Sequence, residues 1–393
     1  MANVCMIPEL KAEFATLADA YNNLRDKFTI RLIDNVKLTA DWNLYKNFTL
    51  DLNGHELELS VIPHGGAIVA YRTSSVTVVD TAGNGKMTQK EPYTSTNRGA
   101  PIKLTENSSM VWNSGEFYAV MDNPTNLGGF GIGVYGDASL TINGGKFTTG
   151  WYCASASAAK VNGSNNTRIV VNGGELTSTA DYAIYVPNKN GTLIINGGII
   201  RGASGAVSTN GSTVTINGGE LTSDGTGIDP GLWNDGTSGQ GNAVVNCNAK
   251  YCDAKMTVVG GDFVSAGDSV IVATGDKYKA DVVIHNGNFN KPIEDKFLSP
   301  DANLTVNEDG SCVAVNPKKP APVKRVDPSS YDIKVFNAIS SAPTLVDGSY
   351  RLSGSSKFGS DHRYAPFWSV GAGWNLHNEN FIKKLGWVNT LRL

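Results

Sequence analysis

The side chains best suited to chemistry gather in one glycine-rich stretch. In TSDGTGIDPGLWNDGTSGQGN (222–242), Asp224, Asp229 and Asp235 stand around Trp233. An indole offers a flat apolar face to the C–H face of a sugar ring, and neighbouring carboxylates accept hydrogen bonds from its hydroxyls. Trp233, Asp229 and Asp235 therefore read as a carbohydrate-binding platform. They also read as a surface excursion whose Trp packs onto its own turn of chain, and both readings stand at this point. Tyr93 in TQKEPYTSTNRGA (88–100), and Trp151 and Tyr152 in GWYCASASA (150–158), belong to similar excursions. With Trp233 they would line one continuous, loop-built surface. Carboxylates that cleave a glycosidic bond must lie about 5–5.5 Å or 6.5–9.5 Å apart. Sequence spacing does not establish that for Asp229 and Asp235, so no catalytic residue is assigned.

Other chemistries find less support. GNGKMT (83–88) is reminiscent of a phosphate loop, but position 80, where that motif needs Gly, is Asp80. Cys247 and Cys252 lack a second ligand pair, and the five histidines show no metal spacing, so neither a metal nor a cofactor is expected. Five cysteines without a CxxC do not make a disulfide scaffold. The formal charge of −3 gives no general attraction to nucleic acid, and no apolar run reaches the length of a membrane-spanning helix. The opening MANVCMIPELKAEF has no basic region followed by an apolar run, so an ordinary secretory signal is not expected.

What must position these residues is a repeat. LTINGGKF (140–147) returns as IVVNGGEL (169–176), LIINGGII (193–200), VTINGGEL (214–221) and MTVVGGDF (256–263), with weaker copies on either side. Aligned on the second Gly, the marker positions are His55, Gly85, Gly115, Gly145, Gly174, Gly198, Gly219, Gly261 and Gly287. The steps between them are 30, 30, 30, 29, 24, 21, 42 and 26 residues. Fixed strands joined by loops of variable length give such a drifting period. Alternation within each copy has period two, and a further short apolar run precedes each motif, as in AIVAY (67–71) and GIGVY (131–135). Three strands in about two dozen residues leave no room for a crossover helix. The expected fold is all-β, a parallel β-helix of about nine coils.

Stacked coils predict vertical ladders. The position two after the marker reads Leu57, Met87, Phe117, Phe147, Leu176, Ile200, Leu221, Phe263 and Phe289, apolar throughout, and is expected to face inward. Two before it stand Asn53, Asn113, Asn143, Asn172, Asn196 and Asn217, expected to hydrogen-bond to one another and to take the left-handed turn conformation. Beside the marker, Glu56, Lys86, Glu116, Lys146 and Glu175 alternate in sign. Trp112, at an Ile-equivalent position, is expected in the core. At the front, Ile7, Leu10, Phe14, Leu17, Tyr21, Leu24 and Phe28 follow steps of three and four, which predicts a helix over 1–28 that caps the first coil or joins chains as a coiled coil. The β-helix spans 29–315. NPKKPAPVKRVDP opens a stiff linker at 316–328, and the aromatic-rich 329–393 is a separate module.

The stretch KFTIRLIDNVKLTADWNLYKNFTLDLNGHELEL (27–59), followed by serial INGGEL and INGGKF coils, resembles the right-handed parallel β-helix repeats of pectate-lyase-like proteins, and among them bacteriophage tailspikes, tail fibres and related virion fibres. The resemblance covers about 27–315. It implies a homotrimer docked to other virion proteins of tail or capsid, and often a host-surface glycan or receptor bound along the β-helix. Localisation on the virion, after assembly in the host cytoplasm, follows from the same resemblance, without nucleic-acid binding or membrane insertion. A polysaccharide-depolymerising tailspike (hydrolase or lyase) and a bacterial surface adhesin stay open as alternatives, since fold does not fix function.

Overall fold

A computed structural model describes residues 2–59, 66–90, 100–119, 130–156, 166–227, 243–275, 277–322, 344–354 and 364–374. The chain divides into two compact units, Met1–Arg325 and Val326–Leu393.

The first unit is a parallel β-helix. Each coil runs through three short strands, for example Ile132–Val134, Ser139–Ile142 and Lys146–Thr149, which belong to what we call sheets 1, 2 and 3. Every such strand pairs in parallel with its counterpart one coil earlier and one coil later. Among the described residues sheet 1 has nine strands, from Trp42–Leu44 to Ile271–Thr274. The predicted inward ladder is continuous in sheet 3: Leu57, Met87, Phe117, Phe147, Leu176, Ile200, Leu221, Phe263 and Phe289 are successive register partners. All nine are at most 2% exposed, which puts each burial at roughly 1.5–3 kcal/mol. Phe117 and Phe147 stack with centroids 6.0 Å apart, and Trp112 (0% exposed) joins them in the core.

The turn after sheet 2 also works by stacking. Asn143, Asn172, Asn196 and Asn217 each donate from Nδ2 to Oδ1 of the preceding Asn, from Asn113 upward, at 2.7–2.8 Å. In this ladder the left-handed conformation falls on the second Gly rather than on Asn, with φ of 93° at Gly115, 86° at Gly145 and 90° at Gly174. Only Asn53, among the six, has positive φ. A Cβ at Gly145 would lie 2.5 Å from the Gly115 carbonyl oxygen, so the closeness of stacked turns demands Gly twice over. In the coil that lacks the motif, Asp80 closes the turn instead, its carboxylate accepting the backbone N–H of Gly54 and of Gly85 at 2.7 Å each.

Both ends of the stack are covered by antiparallel pieces. At the front, the predicted helix over 1–28 is corrected. Cys5–Ile7 pairs with Ala12–Phe14 across a short 3₁₀ turn, Pro8–Leu10, and with the first strand of sheet 2, Phe28–Leu32. Lys11, left-handed at φ 52°, ends that turn, and helix remains only at Leu17–Asn23, capped by Thr16 Oγ1 on the Asp19 N–H. An unpaired parallel edge offers hydrogen bonds that a helix cannot use, and a strand satisfies it. The three-four spacing nevertheless marks the right residues. Ile7, Leu17 and Leu24 are buried, and Leu10, Phe14, Tyr21 and Phe28 pack against them.

At the far end, Cys312–Val315 pairs antiparallel with Gly287–Phe289, the last strand of sheet 3, and with Asn303–Val306. The stiff linker predicted over 316–328 is corrected for its first residues. The Asn316 N–H donates to Asn286 Oδ1 (2.7 Å), Asn286 Nδ2 donates to the Lys319 carbonyl (2.7 Å), and Lys318 pairs with Asp301 (2.7 Å). Residues 323–328 lie outside the described residues. The second unit contains an antiparallel hairpin of two eleven-residue strands, Thr344–Gly354 and Tyr364–Trp374.

Candidate functional site

Long connections concentrate at one corner of the coil, where the chain passes from sheet 3 to sheet 1. Compact coils cross it in a few residues, from Glu175–Ser178 to Tyr182 and from Ile199–Gly202 to Gly205. Others leave Leu59, Gln89, Ala119 and Ser223 and rejoin at Ile68, Ile102, Ile132 and Val245. One further long connection, from Ala154–Ser155 to Arg168, turns the next corner instead, between sheets 1 and 2. The surface beside these corners is the outer side of sheet 1.

Alternation assigns that outer side. Ile102, Leu104, Ile132, Val134, Ile184 and Val186 belong to the core, so the residues between them face away from it. Register aligns those intervening positions as Asn43, Val69, Lys103, Gly133, Ser155, Tyr185, Ser208, Asn246 and Val272. Such positions ordinarily meet water. Here Ser155, Tyr185, Ser208 and Asn246 are buried, at 6% exposure or less.

An aromatic cluster accounts for part of this cover. Trp151, Tyr152 and Tyr185 form a second apolar nucleus separate from the main core, with Phe130 against it. Tyr152 lies 5.1 Å from Tyr185 and meets Trp151 edge-on at 5.7 Å, and Phe130 lies 5.6 Å from Trp151. Thr149 Oγ1 donates to the Trp151 carbonyl (2.6 Å), which fixes the chain as it leaves sheet 3. Asn210 Nδ2 donates to the Tyr185 hydroxyl at 2.9 Å. Tyr135 folds over Gly133, where a Cβ would strike its ring, and burial pushes its phenol up to about 12.

For Trp151 and Tyr152 the predicted platform is corrected. Trp151 (3% exposed) and Tyr152 (2%) are brought together, but they face one another and Tyr185 rather than solvent. Nor does the chain over 150–156 leave the coil, because Ala154–Ser155 is a strand of sheet 1. Two Ala-Ser pairs disguised that strand. Trp233, Asp229, Asp235 and Tyr93 lie outside the described residues. Tyr185 escapes the sequence reading because an apolar position in a strand looks the same whether it faces core or cover, and Phe130 because it precedes its strand and belongs to no repeat position.

The first carboxylate of the turn ladder, Glu56, is engaged in structure. Glu56 is register-paired with Lys86 (4.0 Å), bonded by Lys90 at 2.6 Å and by the Thr88 hydroxyl at 2.6 Å. Burial pushes its carboxyl up, but the hydrogen bonds from Lys90 and Thr88 and the two lysine charges outweigh that and hold it below its ordinary value. Lys37 likewise holds Glu58 low, first through its hydrogen bond. All five cysteines are buried and free, and burial pushes the thiols of Cys153 and Cys247 up to about 12, which removes them as nucleophiles. No group of three His, Cys, Asp or Glu poised to hold a metal occurs among the described residues.

No family model matches the chain, and no solved structure matches it. Over 49 residues the chain is 41% identical to a TonB-dependent receptor of Formosa agariphila. That overlap is 12% of this chain, which spans 5% of the receptor's own length. The described residues define the class on their own: a parallel β-helix with an antiparallel strand at each end and part of the outer side of sheet 1 buried.

Proposed function

We propose that this chain is a structural virion fibre or spike protein of a bacteriophage, which uses its β-helix as a stiff shaft to present a surface for host attachment. The observation that carries the reading is the doubly capped stack. Nine apolar levels bind each coil to the next, and antiparallel strands pair with the front edge of sheet 2 and the far edge of sheet 3, which leaves less edge open to end-to-end association. A molecule so built resists bending while its loops vary freely, which suits attachment to a variable surface. In this reading the chain is a homotrimer docked to tail or capsid proteins, and it meets a host glycan or receptor beside sheet 1. Antibody labelling of purified particles in the electron microscope tests it: label on tail or capsid is expected, and unlabelled particles from cells that express the protein contradict it.

A second reading concerns the C-terminal unit alone. Its hairpin strands have eleven residues each, the length a bilayer-crossing β-strand requires, about 9–11. By register, Val346, Gly348, Tyr350 and Leu352 stand opposite Ala372, Val370, Trp368 and Pro366 on one face, while Asp347, Ser349, Arg351 and Ser353 fall on the other. Recovery of the intact chain in an outer-membrane fraction resistant to carbonate washing would favour this second reading over a purely virion-borne protein.

A further inference from the structure

An exposed aromatic stack stands on the opposite corner of the coil, between sheets 1 and 2, and none of the residues considered so far belongs to it. Tyr45 and Tyr71 follow equivalent strands, Trp42–Leu44 and Ile68–Ala70, in consecutive coils. Their rings lie 5.2 Å apart and 13° from parallel, and Tyr45 is 53% exposed, among the most exposed large apolar residues described. The Arg72 guanidinium sits 5.5 Å from the Tyr45 ring centroid. Burial, then the neighbouring Tyr45, then the negative charges of Asp41 and Glu106 push the Tyr71 phenol up.

The backbone supplies an independent observation. Arg72 and Glu106 both adopt the left-handed conformation, at φ 57° each, at the turn position where the following coil uses Gly136 at φ 65°. For a residue with a Cβ this conformation is strained. Glu106 Oε2 accepts the Arg72 N–H at 2.8 Å, which ties the two strained turns together. Glycine is the cheaper residue at such a turn, and this protein places it there one coil later. Strain kept where a relaxed alternative is at hand marks a functional position.

We propose that Tyr45, Tyr71, Arg72 and Glu106 form a saccharide-binding site on the first coils of the β-helix. The exposed phenol stack takes the C–H face of a pyranose ring, the Glu106 carboxylate accepts its hydroxyl hydrogens, and the guanidinium donates to its ring or carboxylate oxygens. The site deepens the attachment reading and rests on it, but its residues are fixed by the scaffold rather than by long loops.

The test is affinity electrophoresis of the full chain through gels that contain lipopolysaccharide O-polysaccharide or capsular polysaccharide from a panel of bacteria. Retardation by at least one polysaccharide is expected. Y45A and Y71A should each weaken it about tenfold, equivalent to about 1.4 kcal/mol. R72G separates function from structure, since it relieves the left-handed strain: its thermal midpoint should hold or rise while retardation falls. Absence of retardation by every polysaccharide overturns the site, as does wild-type retardation in all three variants. Neither result bears on particle labelling, so failure of this site and failure of the fibre reading are told apart.

Discussion

At the scale of single residues, the stack turns small features into strict requirements. Gly145 and Gly83 both have positive φ, 86° and 80°, yet only Gly145 lies under another turn, with the Gly115 carbonyl in the way of any Cβ; nothing lies within 4 Å of a Cβ at Gly83. G83A should therefore cost only the left-handed penalty, about 1 kcal/mol. G145A adds a backbone overlap and should cost about 2–3 kcal/mol more. Urea midpoints of the two variants check this, and equal losses would mean that the turns are not stacked. Glu56 makes a pH-dependent prediction. Its carboxyl is held below the ordinary 4.5, so its contribution is complete above that value in the folded protein and is lost as pH falls through the lowered one. The stability gap between wild type and E56Q should be flat near neutrality and close as the solution is taken below about pH 4.5. A gap unchanged down to pH 3 would show that Lys90 and Thr88 do not stabilise the charged form.

At the scale of elements, the two caps carry a share of solubility out of proportion to their size. Phe28–Leu32 is the first parallel strand of sheet 2, and its outer edge is met by Cys5–Ile7 and by the Glu9 carboxylate, which accepts the Thr29 N–H. Removal of residues 2–16 should leave the coils intact and expose that edge, so the protein should elute as concentration-dependent oligomers on size exclusion with unchanged β content by circular dichroism. A monomeric truncation would assign the capping role elsewhere. These elements also show what a sequence discloses. Ladder residues such as Phe117, Asn143 and Lys146 recur at a countable interval, because each must match a chemically similar neighbour above and below, and their strands follow from that. The caps occur once. Ile7, Leu10 and Phe14 have helical spacing, and only the unpaired edge beside them, a feature of tertiary structure, turns Cys5–Ile7 into a strand. The site was less legible for the same reason. Trp151 and Tyr152 were picked out as aromatic, but Tyr185 and Phe130, which bury them, lie in other coils and share no motif with them. Tyr45 and Tyr71 meet only because their coils are consecutive.

For the whole β-helix, nearest-neighbour stacking means that stability is close to a sum over coils and the interfaces between them. A coil is then a removable unit, provided that the cut joins equivalent positions. Deletion of residues 175–198 joins Gly174 to Ile199, two positions that already follow the same turn in successive coils. Lys146 then meets Ile199, Phe147 meets Ile200, and Ala154 meets Val207 in sheet 1, where Ile184 stood between them. Every inward position stays apolar. The shortened protein should fold cooperatively with its far-ultraviolet spectrum per residue preserved and a lower denaturant midpoint, because one interface is lost and Tyr185 no longer closes the aromatic cover. Deletion of 175–186 removes half a coil, sets sheet 3 strands against sheet 1 strands, and should abolish folding. The comparison separates a stacked molecule from a globular one, in which both cuts would be equally destructive. It also bears on attachment: if the shaft only spaces its binding surfaces, a version one coil shorter should keep polysaccharide retardation through Tyr45 and Tyr71, which lie well before the deletion in chain and stack alike.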